Sequence, residues 1–486
     1  MTDGLAMGTP LGTGTSAAPL TWGRARARWV LAATVLGSAL TFVDMTAVPV
    51  ALPAVGAELG GDAAGLTWVA NAYTLAVASL VLLGGSLGDR YGRRRIFLAG
   101  TMCFSLSAAV CALAPDLPGL VLARAAQGIG GALLAPASIA ILEASFAPAD
   151  RARAIGAWTG LTAVATATGP FVAGWLVQAA SWRWVFLLHL PVAAVAALIA
   201  HRHLPESRNP AACVRLDVPG AALLVAGLGA LTYGLTAGAG VRPGPVAAGG
   251  AIAGAVLLLG AFLLRERRAV SPLLPPAVFA SRPFVVANLV TFVAYAAMGT
   301  VFFALPVVLQ VGAGLSPLAA GLCLSPFTLV MLVGSAAAGR WAGRAGARRP
   351  VVAGLLVAAL GAALLGRAGS ADDYVVDVLL PVAVFGAGLT LYVTPLTAAS
   401  LAALPEARAG LASGVNNAVA RTGGLLAVAA VPLVGGLGGA GLTDPERVRD
   451  GFALLAWACA GLLAAGALLS SLLVRRPEDV RAATHP

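Results

Sequence analysis

The chain has no lysine. Charge of either sign is scarce: 10% of 486 residues are charged, with 31 basic residues, all arginine, against 20 acidic ones. A soluble domain carries about a quarter charged residues, so a water-soluble globular chain of this length is excluded. Cysteine is equally sparse. The five (Cys103, Cys111, Cys213, Cys323 and Cys459) are scattered without any Cys-x-x-Cys spacing. That excludes a disulfide framework and a thiolate zinc site, and leaves them as small apolar packing residues. Without lysine there is no phosphate-binding Gly-x-x-x-x-Gly-Lys loop, so ATP hydrolysis is not expected. Neither a His-Glu-x-x-His helix nor a Ser/His/Asp constellation is present, and His201-x-His203 lacks the cysteine or carboxylate company of a metal site. No enzyme, metal or cofactor is expected, and any work must draw on an ion gradient.

What is abundant is apolar residue, at 59% of the chain. It falls into fourteen stretches, each long enough to cross a hydrocarbon core that needs roughly 20 residues per helix. The expectation is an all-α polytopic membrane protein with 14 transmembrane helices, because in lipid each helix satisfies its own backbone. Most arginines lie in alternate loops, the pattern that marks the cytoplasmic side. The +11 net charge therefore reports orientation in a cell membrane with both termini cytoplasmic, and not a nucleic-acid partner. Tryptophans near span ends (Trp22, Trp29, Trp68, Trp182, Trp184, Trp341) read as interfacial anchors.

Two polar linkers, His201 to Leu216 and Arg265 to Pro283, bracket spans 7 and 8. An internal repeat explains the bracket. Gly88-Asp-Arg-Tyr-Gly-Arg-Arg-Arg95 has a degenerate copy at Gly339 to Arg349, and the loop Pro148 to Arg153 is echoed by Pro405 to Arg408. The expected organisation is a disordered tail (1–28), a six-helix bundle (29–203), linkers with two inserted helices (204–283), a second six-helix bundle (284–474) and a cytoplasmic tail (475–486). Parallel halves with a site at their midplane interface are a transporter architecture.

Charges inside spans are expensive and usually functional. Asp44 lies about 22 Å along span 1 from Trp29, and Arg124 roughly 10 Å below the end of span 4, so the two share a depth. They are the candidate ion-coupling pair, or else a static ion pair. Gln127 is one turn from Arg124. Asn288, Thr291 and Tyr295 in span 9, with Asn416, Asn417 and Arg421 in span 13, are candidates to line a substrate cavity; interhelical hydrogen bonding is the alternative. Arg421 has no carboxylate in its own span, and either binds an anionic group, gates the cavity or pairs structurally. Asp372, Asp373 and Asp377 read as a solvated face.

The loop Gly84 to Arg95 resembles the GxLaDrxGrkxxl signature of the major facilitator superfamily. Val43-Asp-Met-Thr-Ala-Val-Pro-Val-Ala-Leu-Pro53 resembles a signature of its fourteen-helix drug:proton antiporters, as do Trp68 to Leu75, Ser181 to Phe186 and Asp217 to Gly220. Pro49 and His189 depart from it, each standing where that family commonly has asparagine. Leu122 to Gly131 is similar to a signature whose arginine, here Arg124, is implicated in proton coupling. Gly156, Gly160, Gly169, Pro170 and Gly174 resemble the GxxxGPxxGG helix-packing signature associated with export, with alanine at positions 165 and 173. The resemblance implies a gate at Gly88, Asp89, Arg90, Gly92 and Arg93, with Arg90 meeting Glu143. It also implies a proton-coupled, monomeric exporter of hydrophobic drugs or antibiotics. A dedicated exporter of one metabolite, or a proton-symporting importer, shares most of these features.

Overall fold

The computed structural model describes residues 20–208, 216–238, 244–269, 272–370, 373–405, 408–437 and 444–473. Cys213, Asp372, Glu406 and both chain ends lie outside the described residues. Among the described residues fourteen helices are long and apolar enough to cross a membrane: α1 (Ala25–Leu59), α2 (Ala63–Tyr91), α3 (Arg93–Ala112), α4 (Leu117–Ser145), α5 (Pro148–Ala179), α6 (Arg183–His203), α7 (Val218–Ala237), α8 (Val246–Arg268), α9 (Arg282–Gly312), α10 (Pro317–Ala345), α11 (Arg348–Leu365), α12 (Val375–Ala402), α13 (Gly410–Val434) and α14 (Pro445–Leu472). The chain is a multi-pass, all-helical membrane protein.

Several of the few acidic residues begin helices. Asp62 accepts from the Gly65 N–H at 2.9 Å, Asp116 from Gly119 at 2.8 Å and Asp217 from Gly220 at 3.0 Å. Each satisfies an orphan donor and meets the positive end of a helix dipole. Asp373 does the same for Val375 and Val376, and Asp377 is buried and 3.4 Å from Arg367. Asp373 is an exposed capping group, whereas Asp377 is buried and so is not part of a solvated face.

The helix pairings repeat with an offset of eight spans. In the first half α1 packs on α5, α2 and α3 on α4, and α6 on α1 and α3. In the second half α9 packs on α13, α10 and α11 on α12, and α14 on α9 and α11. Helices α7 and α8 pack on each other, and α7 also touches α2 and α13, so the extra pair lies against a seam between the halves.

Two expectations change at the chain's start and at the α5–α6 turn. Residues 20–28 are ordered, not a free tail. Leu20 is buried, its N–H donates to the Ser145 carbonyl at 2.8 Å, and its carbonyl accepts from Ala147 at 3.0 Å. Helix α1 already begins at Ala25. Trp182 is 2% exposed and donates to Glu58 at 2.7 Å, so it is a core residue, whereas its neighbour Trp184 remains 52% exposed as an anchor should.

Candidate functional site

Asp44 sits mid-way along α1 and is fully buried, as is Arg124 at 1% exposure on α4. The Arg124 Nη1 donates to Asp44 Oδ1 at 2.8 Å, to Oδ2 at 2.7 Å and to Gln127 Oε1 at 2.7 Å, and Nε donates to the Val69 carbonyl at 2.9 Å. Gln127 Nε2 returns a bond to Asp44 Oδ1 at 3.2 Å. The guanidinium lies 4.5 Å from the Tyr73 ring centroid and 5.8 Å from that of Phe186. Taking a carboxylate and a guanidinium out of water costs several kcal/mol per ion, which their mutual attraction and this set of hydrogen bonds offset. The arrangement can bind or release a proton at Asp44 only by giving up part of the Arg124 contact.

A neutral network occupies the other half. Asn416 on α13 donates to Asn288 Oδ1 at 3.2 Å and Thr291 Oγ1 at 3.0 Å on α9, and Asn288 donates to Ser400 on α12 at 3.3 Å. Asn417 receives Arg421 Nε at 2.9 Å, and Arg421 Nη1 reaches Met45 Sδ on α1 at 3.6 Å. Arg421 is 8% exposed, and no carboxylate among the described residues pairs with it. Tyr295 is half-buried and makes no side-chain hydrogen bond among the described residues.

None of these seven polar candidates lines the apolar cavity between the halves. That cavity, about 200 Å³, is walled by apolar groups including Leu52, Pro53, Leu66, Phe303, Val307 and Phe452, and lies between the halves toward the end of the molecule away from the arginine-rich loop. Gln127, Asn288, Thr291 and Asn416 are instead held in side-chain hydrogen bonds. Polar residues in lipid find each other first, and a wall of Leu, Val and Phe gives no signal in so apolar a sequence.

At the arginine-rich end the expected Arg90–Glu143 contact does not form. Helix α2 ends at Tyr91 and the chain turns at Gly92, with φ 112°. The turn places Arg93, not Arg90, across from both α2 and α4. Its guanidinium bonds Asp89 at 2.8 Å and the Ala140 carbonyl at 3.0 Å, while Arg90 lies over the Tyr91 ring and Glu143 is exposed. Gly92 is further constrained because a Cβ there would run into the Glu206 carboxylate. Glu206, which the sequence did not single out, accepts from the Arg94 N–H at 3.2 Å and lies 3.8 Å from Arg95. A Cβ at Gly88 would meet only Arg93 Cγ at 3.9 Å, so Gly88 is not a tight contact.

The glycines of α5 divide. Gly169 lies against Val43 and Thr46 of α1, and Thr46 donates to the Thr166 carbonyl at 3.1 Å. Gly174 lets α5 meet the Pro317 carbonyl of α10, and Gly321 of α10 meets the Pro170 carbonyl in return. This is a backbone-to-backbone contact between the halves. A Cβ at Gly156 or Gly160 would meet nothing within 4 Å among the described residues, so these two are not packing positions.

One further residue joins the Asp44 centre. His189, seen in the sequence only as a departure from a pattern, is 2% exposed, with Nε2 at 3.9 Å from Asp44 Oδ1.

Comparison with known proteins agrees with this architecture. Residues 34–428 match the model of the Major Facilitator Superfamily. The chain is 37% identical to the cephamycin export protein CmcT of Amycolatopsis lactamdurans, over 83% of this chain and 84% of that protein. It is 34% identical to the multidrug resistance protein Stp of Mycobacterium tuberculosis (strain CDC 1551 / Oshkosh), over 80% of this chain and 72% of that protein. The crystal structure of the peptide transporter POT in complex with sulfate superposes with a TM-score of 0.68 at 15% identity, covering 93% of this chain and 95% of that one. The chain belongs to the Major Facilitator Superfamily.

Proposed function

We propose that the chain exports hydrophobic small molecules, drugs or antibiotics, across the cytoplasmic membrane in exchange for protons, as a monomer with both termini in the cytoplasm. The buried Asp44–Arg124–Gln127 cluster is the observation that carries this reading. With Asp44 ionised, its bonds to Arg124 tie α1 to α4. A proton on Asp44 removes the counter-charge and leaves Arg124 to Val69 and Gln127, which loosens that tie. The two halves then rock about the α5–α10 backbone contact. The apolar cavity supplies a substrate surface without directional bonds, which suits lipophilic compounds. The orientation rests on the arginine-rich loops.

Efflux of a single compound is a second reading, favoured because the relative CmcT is named for cephamycin export. Inverted membrane vesicles test both. Uptake of several unrelated lipophilic compounds, abolished by an uncoupler, is expected. Uptake of one compound class alone would favour the dedicated exporter, and uptake that ignores the uncoupler would contradict proton coupling.

A further inference from the structure

We propose that His189 is a proton-relay residue that receives the coupling proton at Nε2 and passes it to Asp44 Oδ1; this rests on the proton-coupled reading above. The imidazole is held at one end. Its Nδ1 lies 3.2 Å from the Phe186 carbonyl oxygen, an acceptor without a proton, so Nδ1 must carry the hydrogen. Nε2 is then the bare nitrogen. It is buried, has no hydrogen-bond partner among the described residues, and faces Asp44 Oδ1 at 3.9 Å. Two acceptors thus face each other across a gap that only a proton makes favourable.

Protonation of Nε2 turns this facing pair into a charge-assisted hydrogen bond, whose usual length of about 2.8 Å needs roughly 1 Å of approach. The Phe104 ring, 5.4 Å away and edge-on, fixes the imidazole plane without offering any competing acceptor.

The transfer balances. A proton from the outer aqueous phase adds to Nε2. The Nε2–H bond then breaks as the Asp44 O–H bond forms, and the imidazole returns to its neutral, Nδ1–H form. The carboxylate charge disappears, and Arg124 is left without a counter-ion. In this order Arg124 keeps its partner until the proton is already inside the protein. Imidazole suits the step because its ordinary range lies between pH 5 and 8. The titratable and charged groups around the site are Asp44 on α1, Tyr73 on α2, Cys111 on α3 and Arg124 on α4. Cys111 contacts Gln127, and Tyr73 stacks on Arg124. Arg421 on α13 lies beyond Tyr73.

The first test does not depend on transport. The full chain in lipid bilayers, with ¹⁵N-labelled histidine rings, contains only four histidines, and His189 is identified by the signal lost in His189→Gln. The expected spectrum at alkaline pH has Nδ1 protonated and Nε2 bare. On acidification the ring gains its second proton, and in Asp44→Asn that step moves to lower pH by about one unit or more, because the facing anion is gone. A proton found on Nε2 at alkaline pH, or a step unmoved by Asp44→Asn, overturns the proposal.

The second test is compound-driven proton movement in inverted vesicles. His189→Gln keeps a polar group at the site but cannot carry the proton, and a loss of about tenfold or more is expected; His189→Asn serves if His189→Gln does not fold. Wild-type proton movement in both variants overturns the relay. If the wild-type protein moves no protons with any compound, the proposed function fails, while the spectroscopic test still decides whether His189 and Asp44 share a proton.

Discussion

The two halves pair their helices alike but treat polar groups in opposite ways. In the first half a carboxylate and a guanidinium, both within 1% of complete burial, cancel each other. In the second half neutral amides and hydroxyls bond nearer the arginine-rich end of the spans, and deeper in α13 Arg421 bonds Asn417 and Met45. A charge pair can be broken by one proton, which is what the proposed coupling uses. A neutral network cannot be switched that way. In the proposed cycle the first half takes the energy input, while the apolar cavity walled by both halves, Leu52 and Leu66 facing Phe303, Val307 and Phe452, accommodates the transported compound.

The sharpest way to break this comparison is to remove one member of the buried pair. Arg124→Leu strands the Asp44 carboxylate in a dry interior, and a loss of about 3–5 kcal/mol is expected. Thermal unfolding in detergent measures it. Asp44→Asn strands the Arg124 guanidinium instead, left to Val69 and Gln127, and a loss of similar size is expected.

Arg421→Leu gives the contrasting result. It strands no carboxylate among the described residues, and relief of the buried unpaired charge offsets the lost bond to Asn417, so the predicted destabilisation is below about 1.5 kcal/mol. A loss as large as that of Arg124→Leu would mean that the two arginines do the same structural work.

Asn416→Ala cuts the α9–α13 amide link. Interhelical hydrogen bonds in membranes average about 0.6 kcal/mol, so a small drop in unfolding temperature with transport largely retained is expected. The smallest effect is predicted at the arginine-rich end. Arg93→Ala removes a partly exposed i, i+4 pair with Asp89, expected to contribute about 0.3–0.5 kcal/mol. Its readout is a changed distribution between open and closed states, measured by spin-label distances across that end. An Arg90→Ala change that matched it would contradict the contact to Ala140.

The sequence makes some of this legible and not the rest, for physical reasons. Apolar length and arginine placement reveal fourteen spans because lipid imposes both. Asp44 and Arg124 stand out because a mid-span charge is rare, and shared depth is enough to pair them. Arg90 and Arg93 could not be separated, since their difference lies in how the chain turns at Gly92. The glycines of α5 look alike in sequence, yet only Gly169 and Gly174 face another backbone. His189 carried a signal, its departure from an asparagine pattern, but its meaning needed the 3.9 Å approach to Asp44.

The central claim is that Asp44 carries the coupling proton. Inverted vesicles with an imposed, dye-reported pH gradient test it most directly, comparing wild type with Asp44→Asn as lipophilic compounds are added. The account predicts collapse of the gradient in the wild type and none above background in the variant. Equal collapse in both would show that the proton travels by another route and that the Asp44–Arg124 pair only holds α1 against α4.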